Sequence, residues 1–177
     1  MNEQESFLTI YRLLNSDGQK VSPRGQLIVE LENFSYTFQP FCRFANFLHR
    51  KLSLDYIKRE FLWYLKGDRF DTHITEYAKI WKNIINTDGS INSNYGQYIF
   101  GHIDQFDNVI NTLKEDKDSR RASIVILSAE HLLSKTADYP CTYSLNFRIR
   151  NNELNMSHKT NDILKKDIKK QKRSKIA

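Results

Sequence analysis

The sequence predicts an α+β fold, a largely β core with helices laid against it. Three observations carry that expectation. Residues 53–66 and 104–113 space their apolar side chains at the helical period. Residues 142–149 and 154–158 read as two strands joined through Asn151-Asn152, a hairpin connection. Residues 122–127 form a near-continuous apolar run, as in a buried strand.

Taken in order, a first helix covers residues 7–14, where Phe7, Ile10, Tyr11 and Leu14 share a face. It stops near Asp17-Gly18, and Ser22-Pro23-Arg24-Gly25 is a second turn. Leu27, Val29 and Leu31 alternate with polar neighbours; Phe34, Tyr36 and Phe38 alternate in shifted phase. This predicts two strand pieces with a bulge or bend near Asn33. Ser53 caps the next helix, Leu54, Ile57, Phe61 and Leu65 make its stripe, and Gly67 ends it. Ile74, Tyr77, Ala78, Trp81 and Ile85 predict a further helix over residues 72–85, before the Asp88-Gly89 turn. No internal repeat and no linker is visible.

At 177 residues, with 40% apolar and 12% aromatic side chains, the chain is long enough for one domain with a real core. No apolar run approaches a membrane span, so no membrane partner is expected. The acidic start Met1-Asn2-Glu3-Gln4-Glu5 lacks the pattern of a signal peptide, which points to a cytoplasmic location. There, Cys42 and Cys141 are expected to stay reduced. The net charge of +6 comes from residues 163–177, which hold seven basic residues and one acid. The rest balances. The expected organisation is one domain over residues 1–162 and a solvated basic tail over 163–177. The tail carries no interleaved aromatics, so nucleic acid is not the expected partner.

Two features suggest chemistry. Cys141 follows Pro140 and leads into an alternating run, a position for a nucleophile at a strand edge. Arg120-Arg121 enter an apolar strand and suit an anion, because guanidinium forks match phosphate oxygens. Together they suggest attack through sulfur on a phosphorylated substrate. The plain alternatives are a packed cysteine and arginines paired with Asp116 and Asp118. Glu60 borders the apolar stripe of its helix, where a partly buried carboxyl can move protons; the plain alternative is an exposed helix glutamate paired with Lys58 or Tyr64. No metal site is expected.

Set in series, these pieces resemble the thymidylate synthase and deoxycytidylate hydroxymethylase family. The resemblance rests on Ser22-Pro23-Arg24-Gly25, Arg59-Glu60-Phe61-Leu62-Trp63-Tyr64-Leu65-Lys66-Gly67, Ile80-Trp81, Ile91-Asn92-Ser93-Asn94-Tyr95-Gly96, Asp118-Ser119-Arg120-Arg121 and Pro140-Cys141-Thr142. It covers roughly residues 3–162, with the elements in the family's order. It implies a thymidylate synthase-like sheet with packed helices. It also implies one-carbon transfer from 5,10-methylenetetrahydrofolate to C5 of a pyrimidine deoxynucleoside monophosphate. In that scheme Cys141 is the nucleophile, and Glu60 and Tyr95 organise water and relay protons, with a packed aromatic beside Gly96 as the alternative for Tyr95. Arg24, Arg120 and Arg121 hold phosphate, with the paired arginines serving the partner of a homodimer. Trp63 and Trp81 belong to the substrate or cofactor pocket, with core packing as the alternative for each. Asn161 and Asp162 also belong to the pocket. His158 reads as an ordinary strand histidine.

The chain also departs from the pattern. Lys159 stands where a fourth phosphate arginine belongs, keeping charge but losing the bidentate fork. Beyond residue 162 the resemblance stops. The C-terminal strands and helices, roughly a hundred residues in the family, are expected to be lacking. A second chain supplying them is one expected partner, and impaired turnover one expected consequence. Thr142 and the run around Tyr95 look like the hydroxymethylases, yet the synthase outcome is the commoner one and is the expectation taken here. Deoxycytidylate hydroxymethylation and a non-catalytic nucleotide-binding or dimerising module stand as alternatives.

Overall fold

The computed structural model describes residues 3–25, 27–32, 34, 35, 37, 53–134, 136 and 138–160. They fall in two compact units, one of the described residues within 1–52 and one of those within 53–160. The expected basic tail, 163–177, lies outside the described residues, as do Cys42, Asn161 and Asp162.

In the first unit, helix α1 (Glu3–Ser16) precedes a two-stranded antiparallel sheet. Strand β1 (Gln19–Val21) pairs with β2 (Ile28–Glu30), Lys20 opposite Val29. Leu14, Val29 and Leu31 are buried together, with Ile10 and Leu13 packed on them. The helix covers the sheet with Ile10 and Leu14 of the expected stripe and with Leu13, which the stripe did not include; the Phe7 side chain lies outside the described residues. Between the strands, Pro23–Gly25 is a short 3-10 turn. The second expected strand piece does not form at Phe34, Ser35 or Thr37; Tyr36 and Phe38 lie outside the described residues.

The second unit opens with α2 (Leu54–Leu65). The Ser53 side chain accepts from the Tyr56 amide over 3.3 Å, satisfying one orphan donor of the first turn. Gly67 follows the helix at φ +62°, a left-handed stop that glycine adopts without steric cost. Two 3-10 segments come next, His73–Glu76 and Lys79–Ile84. They replace the single helix expected over 72–85. The Asp71 carboxylate holds the His73 amide at 2.8 Å, and Ala78 is extended at φ −143°, so no continuous helix can run through. Tertiary anchoring wins over periodicity: Ile74 is buried, and Trp81 is fixed by a bond from its indole N–H to Tyr56. Trp63, Ile74 and Ile91 form a core with Tyr56, Tyr64, Trp81 and Ile84 around it.

Helices α3 (Gly96–Ile99) and α4 (Gln105–Glu115) lead to β3 (Ser123–Val125), then α5 (Ala129–Leu133). Asp104 caps α4 by accepting from the Asp107 amide. Strands β4 (Thr142–Arg150) and β5 (Glu153–Thr160) complete an antiparallel sheet of order β3-β4-β5. Their turn places Asn151 at φ 53° and Asn152 at φ 59°, the paired left-handed geometry that matches strand twist. Val109 and Leu113 of α4 bury against Ala122, Ile124 and Ile126, with Leu145, Phe147 and Ile149 of β4 packed beside them. The described elements combine helices with antiparallel sheets, as the α+β expectation requires.

Candidate active site

Helix α2 sets the first wall of the site. Tyr56, Glu60 and Tyr64 are four residues apart and share a face. The Tyr64 hydroxyl donates to Glu60 Oε1 over 3.1 Å, and its ring stacks on Tyr95 with centroids 5.8 Å apart and planes 19° from parallel. Trp81 Nε1 donates to the Tyr56 hydroxyl at 2.8 Å. Glu60, Tyr64, Ile80, Trp81, Ile84, Ser93 and Tyr95 line a cleft of about 330 Å³. It thus brings together Glu60, Tyr95 and Trp81, three of the residues singled out by sequence.

Burial above all, then the charge of Glu60, holds the Tyr64 phenol well above its ordinary pKa. Tyr56 is also raised, by burial first and with Glu60 adding to it, against the opposing bond from Trp81. Both phenols therefore stay protonated at neutral pH, and Tyr64 is a donor to the carboxyl rather than a rival anion.

The second wall is the segment before α3. Asn94 is fully buried; its Nδ2 donates to the Asp68 carbonyl and its Oδ1 accepts from the Gly96 amide. Gly96 lies against the backbone of Tyr64, where any Cβ would collide. The Tyr95-Gly96 pair thus lets the two walls meet closely enough for Tyr64 and Tyr95 to stack.

Cys141 is a half-buried thiol at the head of β4. Its neighbours Pro140 and Thr142 are buried, and its carbonyl accepts from Thr160 Oγ1 over 3.0 Å. Thr142 Oγ1 and His158 Nε2 are hydrogen-bonded at 2.9 Å, so His158 braces the residue after the thiol. Cys141 does not itself line the 330 Å³ cleft. The segment leading to it is joined to the cleft wall through Asp138 and Ser93, whose amide donates to the carboxylate at 2.9 Å.

The other sequence candidates are placed as follows. Arg120 and Arg121 are exposed just before β3, and no ion pair among the described residues uses either. Asp118 pairs with Arg150 instead. Lys159 is exposed on β5. Arg24 has its backbone in the 3-10 turn of the first unit. Trp63 is 2% exposed and gives its indole N–H to the Asp71 carbonyl, so it stands behind the cleft wall and not in it. Asn161 and Asp162 lie outside the described residues. Among the described residues, no cluster of three His, Cys, Asp or Glu side chains is placed to hold a metal. Nor is any described helix long and apolar enough to cross a membrane.

Sequence reasoning gave no functional part to Tyr56, Tyr64, Ser93 and Asp138. The four-residue spacing of Tyr56, Glu60 and Tyr64 is the signal that could have exposed the first two. Nothing local marks the long-range contact of Ser93 with Asp138. A larger concavity of about 550 Å³, lined among others by Arg69, Asp88, Tyr98 and His131, contains none of the sequence candidates.

Residues 6–164 match the family described as Thymidylate synthase. A deoxycytidylate 5-hydroxymethyltransferase of Enterobacteria phage T4 is 29% identical over 127 residues, which is 67% of this chain and 52% of that protein. A deoxyuridylate hydroxymethyltransferase of Bacillus phage SP01 is 26% identical over 174 residues, 89% of this chain and 45% of that protein. The chain spans about half the length of these curated relatives.

Proposed function

The chain belongs to the thymidylate synthase family, and on that footing we propose that it takes part in one-carbon transfer to C5 of a pyrimidine deoxynucleoside monophosphate, with hydroxymethylation the outcome. The family acts on pyrimidine nucleotide monophosphates, is typically dimeric and generally uses methylenetetrahydrofolate as co-substrate. The supporting observation is the convergence of Glu60, Tyr64, Trp81 and Tyr95 in one cleft whose wall is tied to the segment carrying Cys141.

Each group has work suited to its surroundings. The Cys141 thiolate adds to C6 of the ring, and the C5–C6 electron pair moves toward C5, which becomes nucleophilic. A thiol with an ordinary pKa of about 8.5 needs a positive setting for this, to which Lys159 contributes in this reading, while Arg120 and Arg121 hold phosphate. The two arginines entering β3 serve the partner subunit's site in this reading. After C5 has bonded to the one-carbon unit, loss of the C5 proton would break the bond from that carbon to the folate nitrogen, which leaves with the electron pair; once water has added to the carbon, sulfur leaves C6 with its own pair. Glu60 receives and returns protons through water ordered by Tyr95, with Tyr64 fixing its carboxyl.

The residues of the cleft fit a flat heteroaromatic co-substrate. Ile80, Trp81 and Ile84 form an apolar wall, and Ile80 is 63% exposed, ready to be covered. The co-substrate supplies the one-carbon unit. Hydroxymethylation then needs water at that carbon, and the carboxyl of Glu60 is the group to take its proton. Both phage relatives carry hydroxymethyltransferase names, which favours this outcome over the synthase outcome expected from frequency alone. The residues that read the base are proposed to lie outside residues 1–160, on this polypeptide or a second one.

The test is release of tritium from C5-labelled deoxycytidylate and deoxyuridylate, with and without methylenetetrahydrofolate, followed by product identification. Exchange that requires Cys141, with a hydroxymethylated product, supports the reading. A methylated product moves it to the synthase outcome. Nucleotide binding in calorimetry with no exchange leaves a binding module in its place.

A further inference from the structure

We propose that Asp138 is a positioning residue that sets Cys141 against the cleft wall; this rests on the reading of Cys141 as the nucleophile. Asp138 is 8% exposed, three residues before the thiol. Its carboxylate accepts twice from Ser93, from the amide at 2.9 Å and from Oγ at 2.5 Å. Its backbone carbonyl accepts from Asn92 Nδ2 at 2.9 Å and from Thr136 Oγ1 at 3.0 Å. Residues 92 and 93 therefore grip residue 138 by side chain and backbone together.

The location of this grip gives it functional consequence. Ser93 lines the cleft and stands two residues before Tyr95, whose ring stacks on Tyr64. The Asn92 carbonyl in turn accepts from the Tyr98 hydroxyl at 3.0 Å, which pins the same segment to α3. On the other side, only Tyr139 and the buried Pro140 separate Asp138 from Cys141. Proline fixes its own φ and restricts the residue before it, so a shift at Asp138 passes to the thiol with little slack. One carboxylate accepting two bonds from a single residue fixes orientation as well as distance. No ion pair among the described residues uses this carboxylate, so the Ser93 donors answer for its burial. A carboxyl kept only for loop stability has no need to bridge the two segments that bear the nucleophile and the proton-moving residues.

The experiment compares Asp138→Ala, Asp138→Asn, Ser93→Ala and the Ser93→Ala/Asp138→Ala double variant in the full chain, with folding checked by thermal unfolding. Two readouts are taken: C5 tritium exchange, and the rate at which iodoacetamide alkylates Cys141, followed by peptide mapping. For Asp138→Ala the expected loss in exchange kcat is about 10- to 100-fold, the scale of a small misplacement, with nucleotide KM within about threefold. Asp138→Asn keeps one acceptor oxygen and recovers part of the loss. The double variant is no worse than Asp138→Ala, because both changes cut one link. The Cys141 alkylation rate moves by more than about threefold in Asp138→Ala and in Ser93→Ala alike.

The proposal is overturned if folded Asp138→Ala keeps the wild-type kcat and alkylation rate. It is equally overturned if the single losses multiply in the double variant, or if kcat falls only with the folded fraction. Absence of exchange in the wild-type chain counts against the proposed function. The alkylation rates then decide the role of Asp138 by themselves.

Discussion

Tyr64 donates its phenolic hydrogen to Glu60 across one turn of α2, over 3.1 Å, while its ring stacks on Tyr95 at 5.8 Å. The bond restricts the rotamer of a carboxyl that faces an open cleft. Because burial and the charge of Glu60 both oppose ionisation of the phenol, the donor persists across the neutral range. Glu60, Tyr64 and Tyr95 thus form one unit, a carboxyl held by the Tyr64 hydroxyl with the Tyr64 ring stacked on Tyr95.

Glu60→Gln keeps the shape and removes the proton-accepting group. C5 exchange is expected to fall by about 10²- to 10⁴-fold, the usual share of general acid–base catalysis, with nucleotide binding in calorimetry little changed. A loss of binding instead would place Glu60 in substrate recognition.

Tyr64→Phe keeps the stacked ring and deletes the donor. Stability in urea is expected to fall by about 0.5–1.5 kcal/mol, the net value of one hydrogen bond, and exchange kcat to fall less than in Glu60→Gln. Equal losses in the two variants would make the hydroxyl itself a proton carrier.

Trp63 and Trp81 are expected to separate cleanly. Trp63→Ala empties a buried site and costs about 3–5 kcal/mol of stability in chemical denaturation. Trp81→Ala removes the cleft's aromatic face and raises KM for the folate co-substrate, with a smaller effect on unfolding. A reversed pattern would put Trp63, not Trp81, in the site.

His131 makes stability depend on pH. Its Nδ1 accepts from the Ser128 amide at 3.0 Å, so Nε2 carries the hydrogen that meets the Tyr98 hydroxyl at 2.8 Å. Burial lowers its pKa, and the charges of Glu130 and Asp138 offset this only in part. Above the ordinary histidine pKa of about 6.5 both folded and unfolded chains leave the ring neutral. As pH falls through that value, the unfolded chain takes a proton that the folded chain refuses, and stability drops. The urea midpoint should fall between about pH 7.5 and 5.5 in the wild type, and fall less steeply in His131→Gln. Equal slopes would show that other groups set the dependence.

Helix α2, α4 and the β4–β5 hairpin were legible through local signals: Ser53 and Gly67 bracket one helix, Asp104 caps another, and Asn151-Asn152 turn the hairpin. The buried face of α2 was not: Leu54, Phe61 and Leu65 of the expected stripe are exposed, and Trp63 is buried with Tyr56 and Tyr64 beside it, because the core partners Ile74 and Ile91 lie on that face. The helix expected over residues 72–85 failed because Ile74 and Trp81 answer to a core made by α2 and Ile91, which periodicity cannot see. The short α3 and α5 gave too few turns for a readable stripe. In the site, Glu60, Tyr95 and Trp81 were legible as motif members and share one cleft. The link from Ser93 to Asp138 spans 45 positions, a contact that exists only once the chain is folded.

The proposed function requires that Cys141 bond covalently to the pyrimidine ring. Incubation with 5-fluorodeoxyuridylate or 5-fluorodeoxycytidylate and methylenetetrahydrofolate tests it most directly, because fluorine at C5 cannot depart as the proton does and the adduct accumulates. Peptide mass spectrometry should find the nucleotide on the peptide containing Cys141, and nowhere in Cys141→Ser. A nucleotide bound to another side chain, or an undiminished adduct in Cys141→Ser, would rule out Cys141 as the nucleophile.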